Sequence, residues 1–313
     1  MNHSVVVISG PTASGKSKLA MEVALKAGGV VVNCDSVQIY KGVPIISAAP
    51  SADDYAKVEH RLFEIYDCAK RGNVVDWLDL CVAEIKKIWQ EGKIPVVVGG
   101  TGFYADALVN GVTPIPPVAP EVRQKINQRL HKEGLAALYD SLCRLDPAIG
   151  RKINGNDQVR IVRALEIIEF TGEKVSDWYK LPLVQKLPEA RFVKVKIVPT
   201  IDEIESRCRQ RLDLMVYQYG VVQEIENLVR QNLAPDLPVM KALGVPELSR
   251  FVRGECSLET ALESAKLHTR QYAKRQRTWL KQKTTADFVL SEPYENQHEF
   301  LSQIIKAINE NIT

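Results

Sequence analysis

Short β-branched runs recur through the first third of the chain, and the stretches between them carry apolar residues at three- and four-residue spacing. Val5 to Ser9, Val30 to Asn33 and Ile94 to Val98 are apolar runs without alternation, as expected of strands buried on both faces. Ser17 to Ala27 reads as a helix. From Trp77 to Gln90 the positions Trp77, Leu80, Cys81, Ile85, Ile88 and Trp89 share helical spacing. Asp76 is placed to cap that helix and Glu91-Gly92 to end it. Buried strands separated by helices predict an α/β fold with a parallel sheet flanked by helices.

The rhythm breaks between Thr113 and Pro120, where Pro114, Pro116, Pro117 and Pro120 exclude both helix and central strand. Helical patterns follow at 120–133, 135–143 and 157–170, with no strand signal until Phe192 to Val198. Residues 113–191 therefore read as an inserted all-helical domain, and 1–112 with 192–313 as the sheet domain. Beyond Pro199 the pattern predicts helices at about 202–232, 245–253 and 257–282, then a short strand from Phe288 to Leu290. No internal repeat and no low-complexity tail is present.

Composition narrows the class without naming a function. The 313 residues are 45% hydrophobic and 25% charged, ordinary for a globular chain with a sizeable core. Forty-one Lys and Arg oppose 38 Asp and Glu, so a polyanionic partner must be argued from where charge sits and not from its total. The six cysteines are scattered, without CxxC or Cys/His clusters, which predicts reduced thiols in place of disulfides or a zinc site. The first residues do not pattern as a secretory leader, and no run approaches the ~20 apolar residues of a membrane span. A soluble cytoplasmic protein without a membrane partner is expected.

Chemistry first appears directly after the opening strand. Gly10, Pro11, Thr12, Ala13, Ser14, Gly15, Lys16 and Ser17 satisfy GxxxxGK[ST] at every fixed position, between a strand and a helix. Glycines let successive N–H groups converge on an anion, and the helix N-terminus adds its positive end. Lys16 then supplies a point charge to phosphate oxygens, and the Ser17 hydroxyl a ligand for Mg²⁺. The motif predicts a di- or triphosphate site without specifying the nucleotide. Asp35 follows the second strand and Thr101 the third, next to Gly99, Gly100 and Gly102. Ligands of open parallel sheets bind outside the carboxyl ends of the strands, so both are expected in the crevice of the phosphate loop. For Asp35 a proton-accepting role and a helix N-cap both fit the local sequence.

Taken together, GPTASGKS at 10–17, DSVQIYKG at 35–42, VVGGTGFY at 97–104, NDQVRIVRALEIIEFTG at 156–172 and TRQYAKRQRTWLK at 269–281 resemble the tRNA dimethylallyltransferase (tRNA isopentenyl-diphosphate transferase) family. The matches span nearly the whole chain in order. The resemblance implies a P-loop NTPase-like fold with a helical insertion, and transfer of a dimethylallyl group to N6 of adenine 37 in tRNAs reading codons that begin with U. It implies dimethylallyl diphosphate and the tRNA anticodon stem-loop as partners and Mg²⁺ as cofactor; a monomer is expected. By the same likeness Asp35 is the general base and Thr101 supports the reacting adenosine. Loop 10–17 would hold the donor diphosphate, with Ser17 on the metal. tRNA contacts are implied for Asp35, Ser36, Val37, Gln38, Thr101, Arg123, Gln158, Val159, Arg160, Ile161, Val162, Arg163, Lys241, Arg270, Lys274, Arg275 and Arg277. One departure is visible: the family often has Gly-Tyr where this chain has Gly244-Val245.

Three rivals share parts of this pattern. A small-molecule kinase would use the same core but want an arginine-rich lid over the γ-phosphate. A prenyltransferase of free adenine nucleotides would need no RNA grip. A non-catalytic RNA-binding module would not need Lys16, Ser17 and Asp35 intact. Charge placement favours a large polyanion. Between Glu263 and Asp287 there is no acid, and Lys266, Arg270, Lys274, Arg277 and Lys281 step by 4, 4, 3 and 4 along one helical face. A merely solvated face is the competing account. Arg207 and Arg211, one turn apart, suit either a phosphate or pairing with Glu203 and Glu205. Arg160 and Arg163 suit either neighbouring phosphates or pairing with Glu166. His60 has no companion ligand and reads as structural.

Overall fold

The structure, a computed structural model, describes residues 3–310. It divides into two compact units, one of residues 1–109 with 187–313 and one of residues 110–186.

In the first unit six strands, β1 (Ser4–Ser9), β2 (Gly29–Asn33), β3 (His60–Arg61), β4 (Ile94–Gly99), β5 (Arg191–Ile197) and β6 (Phe288–Leu290), lie in the order β3-β2-β4-β1-β5-β6. Every pairing is parallel, with Val6 opposite Val96, Val31 opposite Val96 and Val5 opposite Phe192. β1 and β4 are buried at every position, as their unbroken apolar runs require. β5 alternates instead, sending Val193, Val195 and Ile197 to the core while Lys194 and Lys196 sit on the other face. One face packs on helix Lys16–Ala27 through Leu19 and Val23 and on helix His298–Asn309 through Leu301, Ile304 and Ile308. Helix Val74–Gln90 buries Trp77, Leu78, Cys81, Ile85 and Ile88. Its two indoles also bind sheet backbone, Trp77 Nε1 donating to the Asn33 carbonyl at 2.9 Å and Trp89 Nε1 to that of Ser4 at 3.1 Å. That satisfies groups which burial would otherwise orphan.

The second unit is built of helices Pro120–Leu145, Pro147–Gly150, Gln158–Thr171 and Val175–Trp178 around Ile126, Leu138, Leu142, Ile161 and Leu165. The first of these breaks at Gly134, whose backbone is non-helical (φ 81°, ψ 165°), where the sequence pattern also changes helix. Buried Asp146 accepts from the Ser176 N–H at 2.8 Å and the Ile149 N–H at 3.2 Å, joining two of the short helices.

Three expectations change. The cap of helix Val74–Gln90 is Asn73, which accepts from the Val75 and Asp76 N–H groups at 2.9 and 3.0 Å, so Asp76 lies inside the first turn. The continuous helix expected over 202–232 is two, Ile201–Tyr217 and Val221–Arg230, separated by Gly220 at φ 76°. β3 and helix His298–Asn309 have no counterpart among the expected elements. A two-residue edge strand has too little sequence to show a period, whereas Leu301, Ile304 and Ile308 did carry one.

Candidate active site

The order β2-β4-β1 sets three strand tips side by side, and the chain leaves each tip through the segment that carries its polar chemistry. After β1 the phosphate loop turns into helix Lys16–Ala27 with Gly15 at φ 85°. A Cβ there would stand 2.2 Å from the Tyr294 carbonyl oxygen, so only glycine lets the far end of the chain approach. Tyr294 donates its N–H to the Ser14 carbonyl at 2.9 Å and its hydroxyl to Glu22 at 2.6 Å. The loop is thus braced from behind. Lys16 Nζ lies 3.4 Å from the Pro11 carbonyl. Burial pushes its pKa down to about 8, with Asp35 opposing and Arg211 adding to the shift.

After β2 comes a tight turn, not a helix. The Asp35 N–H donates to Asn33 Oδ1 at 2.8 Å, and Asp35 Oδ1 accepts from the Val37 N–H at 2.9 Å. The side chain therefore caps its own turn through one oxygen, and the helix-cap account does not apply. After β4, Thr101 Oγ1 accepts from the Ser36 N–H at 3.0 Å and donates to Ser36 Oγ at 3.2 Å, tying the Asp35 turn to the third tip.

Helix Leu258–Lys283 completes the site. Gln276, buried, accepts from the Thr12 N–H at 3.0 Å and donates to the Gly100 carbonyl at 2.8 Å, bridging the phosphate loop and the β4 tip. Trp279 fills the space that a side chain at Gly102 would need, its Cδ1 2.3 Å from that Cβ position. Tyr272, pushed up to about 12 by burial and then by the charge of Asp35, lines the cavity with Arg275. The cavity holds about 900 Å³, and Thr12 to Lys18, Asp35 to Gln38, Arg211, Met215, Lys241 and Leu243 line it as well. Two polar atoms are sealed in its walls without a hydrogen-bond partner, Ser14 Oγ and Arg211 Nε. Burial lowers the pKa of Arg211, whose guanidinium also contacts Thr12 Oγ1. Orphaned donors beside a lysine and a turned loop are the complement of an anion with many acceptor oxygens.

Arg211 and Gln276 are what the sequence reading left open or missed. Arg211 was legible as one of two equal alternatives, and it takes the cavity alternative. Arg207 lines the cavity too but pairs with Glu295 at 2.7 Å. Gln276 lies inside the matched segment 269–281, but no local pattern marks its role, which rests on two backbone groups 176 and 264 residues away.

The basic helical face is only partly free. Lys266 pairs with Asp213 and Glu263 at 2.9 Å each, Arg270 pairs with Glu205, and Arg277 Nε donates to the Pro199 carbonyl at 2.7 Å. Past Glu263 the helix carries no acid, and helix Ile201–Tyr217 supplies two, Glu205 and Asp213. Lys274 and Lys281 have no ion-pair partner among the described residues. In the second unit Arg163 and Arg123 both reach Glu166, at 3.1 and 3.5 Å, and Arg160 reaches Asp157 at 3.3 Å. Ile161 is fully buried in that unit's core and has no side-chain surface for a partner, while Val162 packs against the core and Val159 is 73% exposed. Gln158 and Val159 line a shallow depression with Asn154, Asn156 and Asp157. Val245 is fully buried at the start of helix Val245–Val252, so this position serves the core here. His60 Nδ1 contacts the Val58 carbonyl at 2.8 Å and its ring packs edge-on to Phe63, a structural role.

A parallel sheet, a glycine-turned anion loop at its central strand and a carboxylate at the neighbouring tips define a phosphate-loop α/β protein. Comparison with known proteins places it further. The sequence profile described as IPP transferase matches residues 38–283. The chain belongs to the IPP transferase family. It is 38% identical over 287 residues to a tRNA dimethylallyltransferase of Zymomonas mobilis, covering 92% of this chain and 90% of that one. It is 41% identical over 288 residues to one from Rhodospirillum rubrum, covering 92% and 88%. Among solved structures, the full-length tRNA isopentenylpyrophosphate transferase of Bacillus halodurans superposes with a TM-score of 0.68 at 29% identity over 98% of both chains. A eukaryotic dimethylallyltransferase acting on tRNA gives 0.77 at 30% identity, over 88% of this chain and 69% of the other.

Proposed function

We propose that the chain transfers the dimethylallyl group of dimethylallyl diphosphate to N6 of adenine 37 in tRNAs reading codons that begin with U. The observation that carries this is the meeting of Asp35 with the phosphate loop in one cavity, beside Lys16 and Arg211. The exocyclic amine of adenine delocalises its lone pair into the ring and is a weak nucleophile. Attack on the allylic carbon therefore needs a leaving group held in a field of positive charge and a base for the N6 proton. Loop amides, Lys16 and Arg211 stabilise charge growing on the departing diphosphate. Asp35 takes the proton as the C–N bond forms. Thr101, tied to the Asp35 turn, supports the adenosine, which must leave the base stack to reach so enclosed a site.

Mg²⁺ fits this site: Ser17 lies on the cavity wall at the end of the loop, and among the described residues no cluster of three or more His, Cys, Asp or Glu exists to hold a metal by itself. An ion held by one hydroxyl and substrate phosphates matches the habit of magnesium, and it would neutralise charge on the leaving diphosphate. The tRNA is gripped by Asp35, Ser36, Val37, Gln38, Thr101, Lys241, Lys274 and Arg275 in the first unit, and in the second by Arg123 and the surface of 158–163. No described helix is long and apolar enough to cross a membrane.

The test is to mix the protein with Mg²⁺, dimethylallyl diphosphate and unmodified tRNA, digest the RNA and weigh its nucleosides. Adenosine heavier by one dimethylallyl group is expected. ADP formed from ATP with a small acceptor, and no modified nucleoside, would transfer the site to a kinase.

A further inference from the structure

The wall that helix Ile201–Tyr217 gives to the cavity does not stop at the cavity's edge. Arg207, Gln210 and Leu214 line it, at steps of three and four. The next residue of that series is Tyr217, on the same helical face one turn further on. Leu214 is 36% exposed and Tyr217 67%. Arg211 touches the phosphate loop through Thr12, and Tyr217 stands one turn past the lining residue Leu214. Six residues of helix place Tyr217 about 9 Å along the axis from Arg211. Tyr219 follows at 58% exposed, where the helix has ended before Gly220. These two phenols are the most exposed large apolar side chains of the sheet unit's described residues.

Two uncovered tyrosines at the end of a helix that walls the cavity, with Lys241 and Arg207 among the lining cations, suit a partner with flat faces and negative charge. We infer that Tyr217, with Tyr219 beside it, is a stacking platform for an unpaired RNA base flanking the acceptor adenine. This rests on the proposed tRNA reaction. Extruding one base from a loop unstacks its neighbours, and an aromatic ring at the rim replaces a lost stacking face without reading the base's identity. The platform would act on RNA affinity and leave the chemistry at Asp35 untouched.

The experiment compares wild type, Tyr217→Ala, Tyr217→Phe and Tyr219→Ala on an unmodified anticodon stem-loop. The same four are run on stem-loops whose nucleotide on one or the other side of the acceptor adenine is abasic. Expected for Tyr217→Ala is a KM for the stem-loop raised about tenfold, with kcat and the KM for dimethylallyl diphosphate unchanged. Tyr217→Phe, which keeps the ring, should behave as wild type. On one of the two abasic stem-loops wild type and Tyr217→Ala should become equal, because the stacking partner is gone. Equal KM values on the intact stem-loop overturn the inference, as does an undiminished tenfold gap on both abasic ones. Transfer by wild type alone tests the reaction: if wild type modifies no stem-loop, the proposed function fails first and the platform falls with it.

Discussion

Asp35 and Lys16 face one cavity with opposite charge, and each is fixed by a different part of the backbone. Asp35 Oδ1 is occupied by the Val37 N–H, so turning the side chain into Asn keeps a cap acceptor while removing the proton-accepting charge. Asp35→Asn is therefore expected to bind stem-loop and donor nearly as wild type and to slow single-turnover transfer by at least ~10²-fold. Unchanged single-turnover chemistry would remove Asp35 from the role of base. Lys16 predicts a pH effect. Its pKa is held near 8 by burial, below the ordinary 10.5, so above about pH 8 the empty site must take up a proton to bind the diphosphate. Donor affinity should fall with rising pH above 8, by up to about tenfold per unit, as titration calorimetry at several pH values would read. Stability moves the other way. Between about pH 8 and 10.5 the unfolded chain holds a proton on this lysine that the folded chain does not, so the Lys16 contribution to stability rises with pH there.

Among the elements, helix Val74–Gln90 shows how a cap can be misread by three residues. Asn73, Asp76 and the Val75 backbone form one hydrogen-bonded start, in which Asn73 receives two N–H groups and donates its Nδ2 to Asp76 at 2.8 Å. Asn73→Ala should cost about 1 kcal/mol in urea unfolding, and Asp76→Ala distinctly less. The reverse ranking would restore Asp76 as the cap. Helix Leu258–Lys283 illustrates a second limit of local reading. Its cationic stripe is real, but Lys266, Arg270 and Arg277 are spent on Asp213, Glu205 and the Pro199 carbonyl. Those contacts hold the helix where Gln276 can bridge Thr12 and Gly100. Part of a charge pattern that looked like an RNA grip is thus part of the scaffold of the site.

At the scale of the molecule the same distinction separates cations by salt response. Phosphate contacts release counterions, so tRNA affinity should fall about tenfold or more between roughly 50 and 200 mM salt. Lys274→Ala should lower the slope of log affinity against log salt by about one. Lys266→Ala should leave that slope unchanged and instead lower the unfolding midpoint, because it removes a mostly buried side chain together with its pairing to the more exposed Asp213 and Glu263. Filter binding across a salt series checks both, and equal slopes for Lys274→Ala and wild type would take Lys274 out of the RNA contact. A flat salt response of the wild type would count against RNA recognition through phosphates at all.

How much of this was legible before folding depends on how local each cause is. The buried strands β1, β2 and β4 declared themselves because a strand covered on both faces must be apolar throughout. The phosphate loop declared itself because every part of its chemistry lies within eight consecutive residues. The break at Gly134 and the proline-rich start of the insertion were visible for the same reason. Gln276, Arg211 and the bracing of the loop by Tyr294 were decided only by tertiary structure, since their partners lie 176 to 280 residues away and no local pattern encodes them. Side chains whose work is done within one turn or one strand can be read from order alone. Those that join the ends of a parallel sheet acquire their meaning when the strands come together.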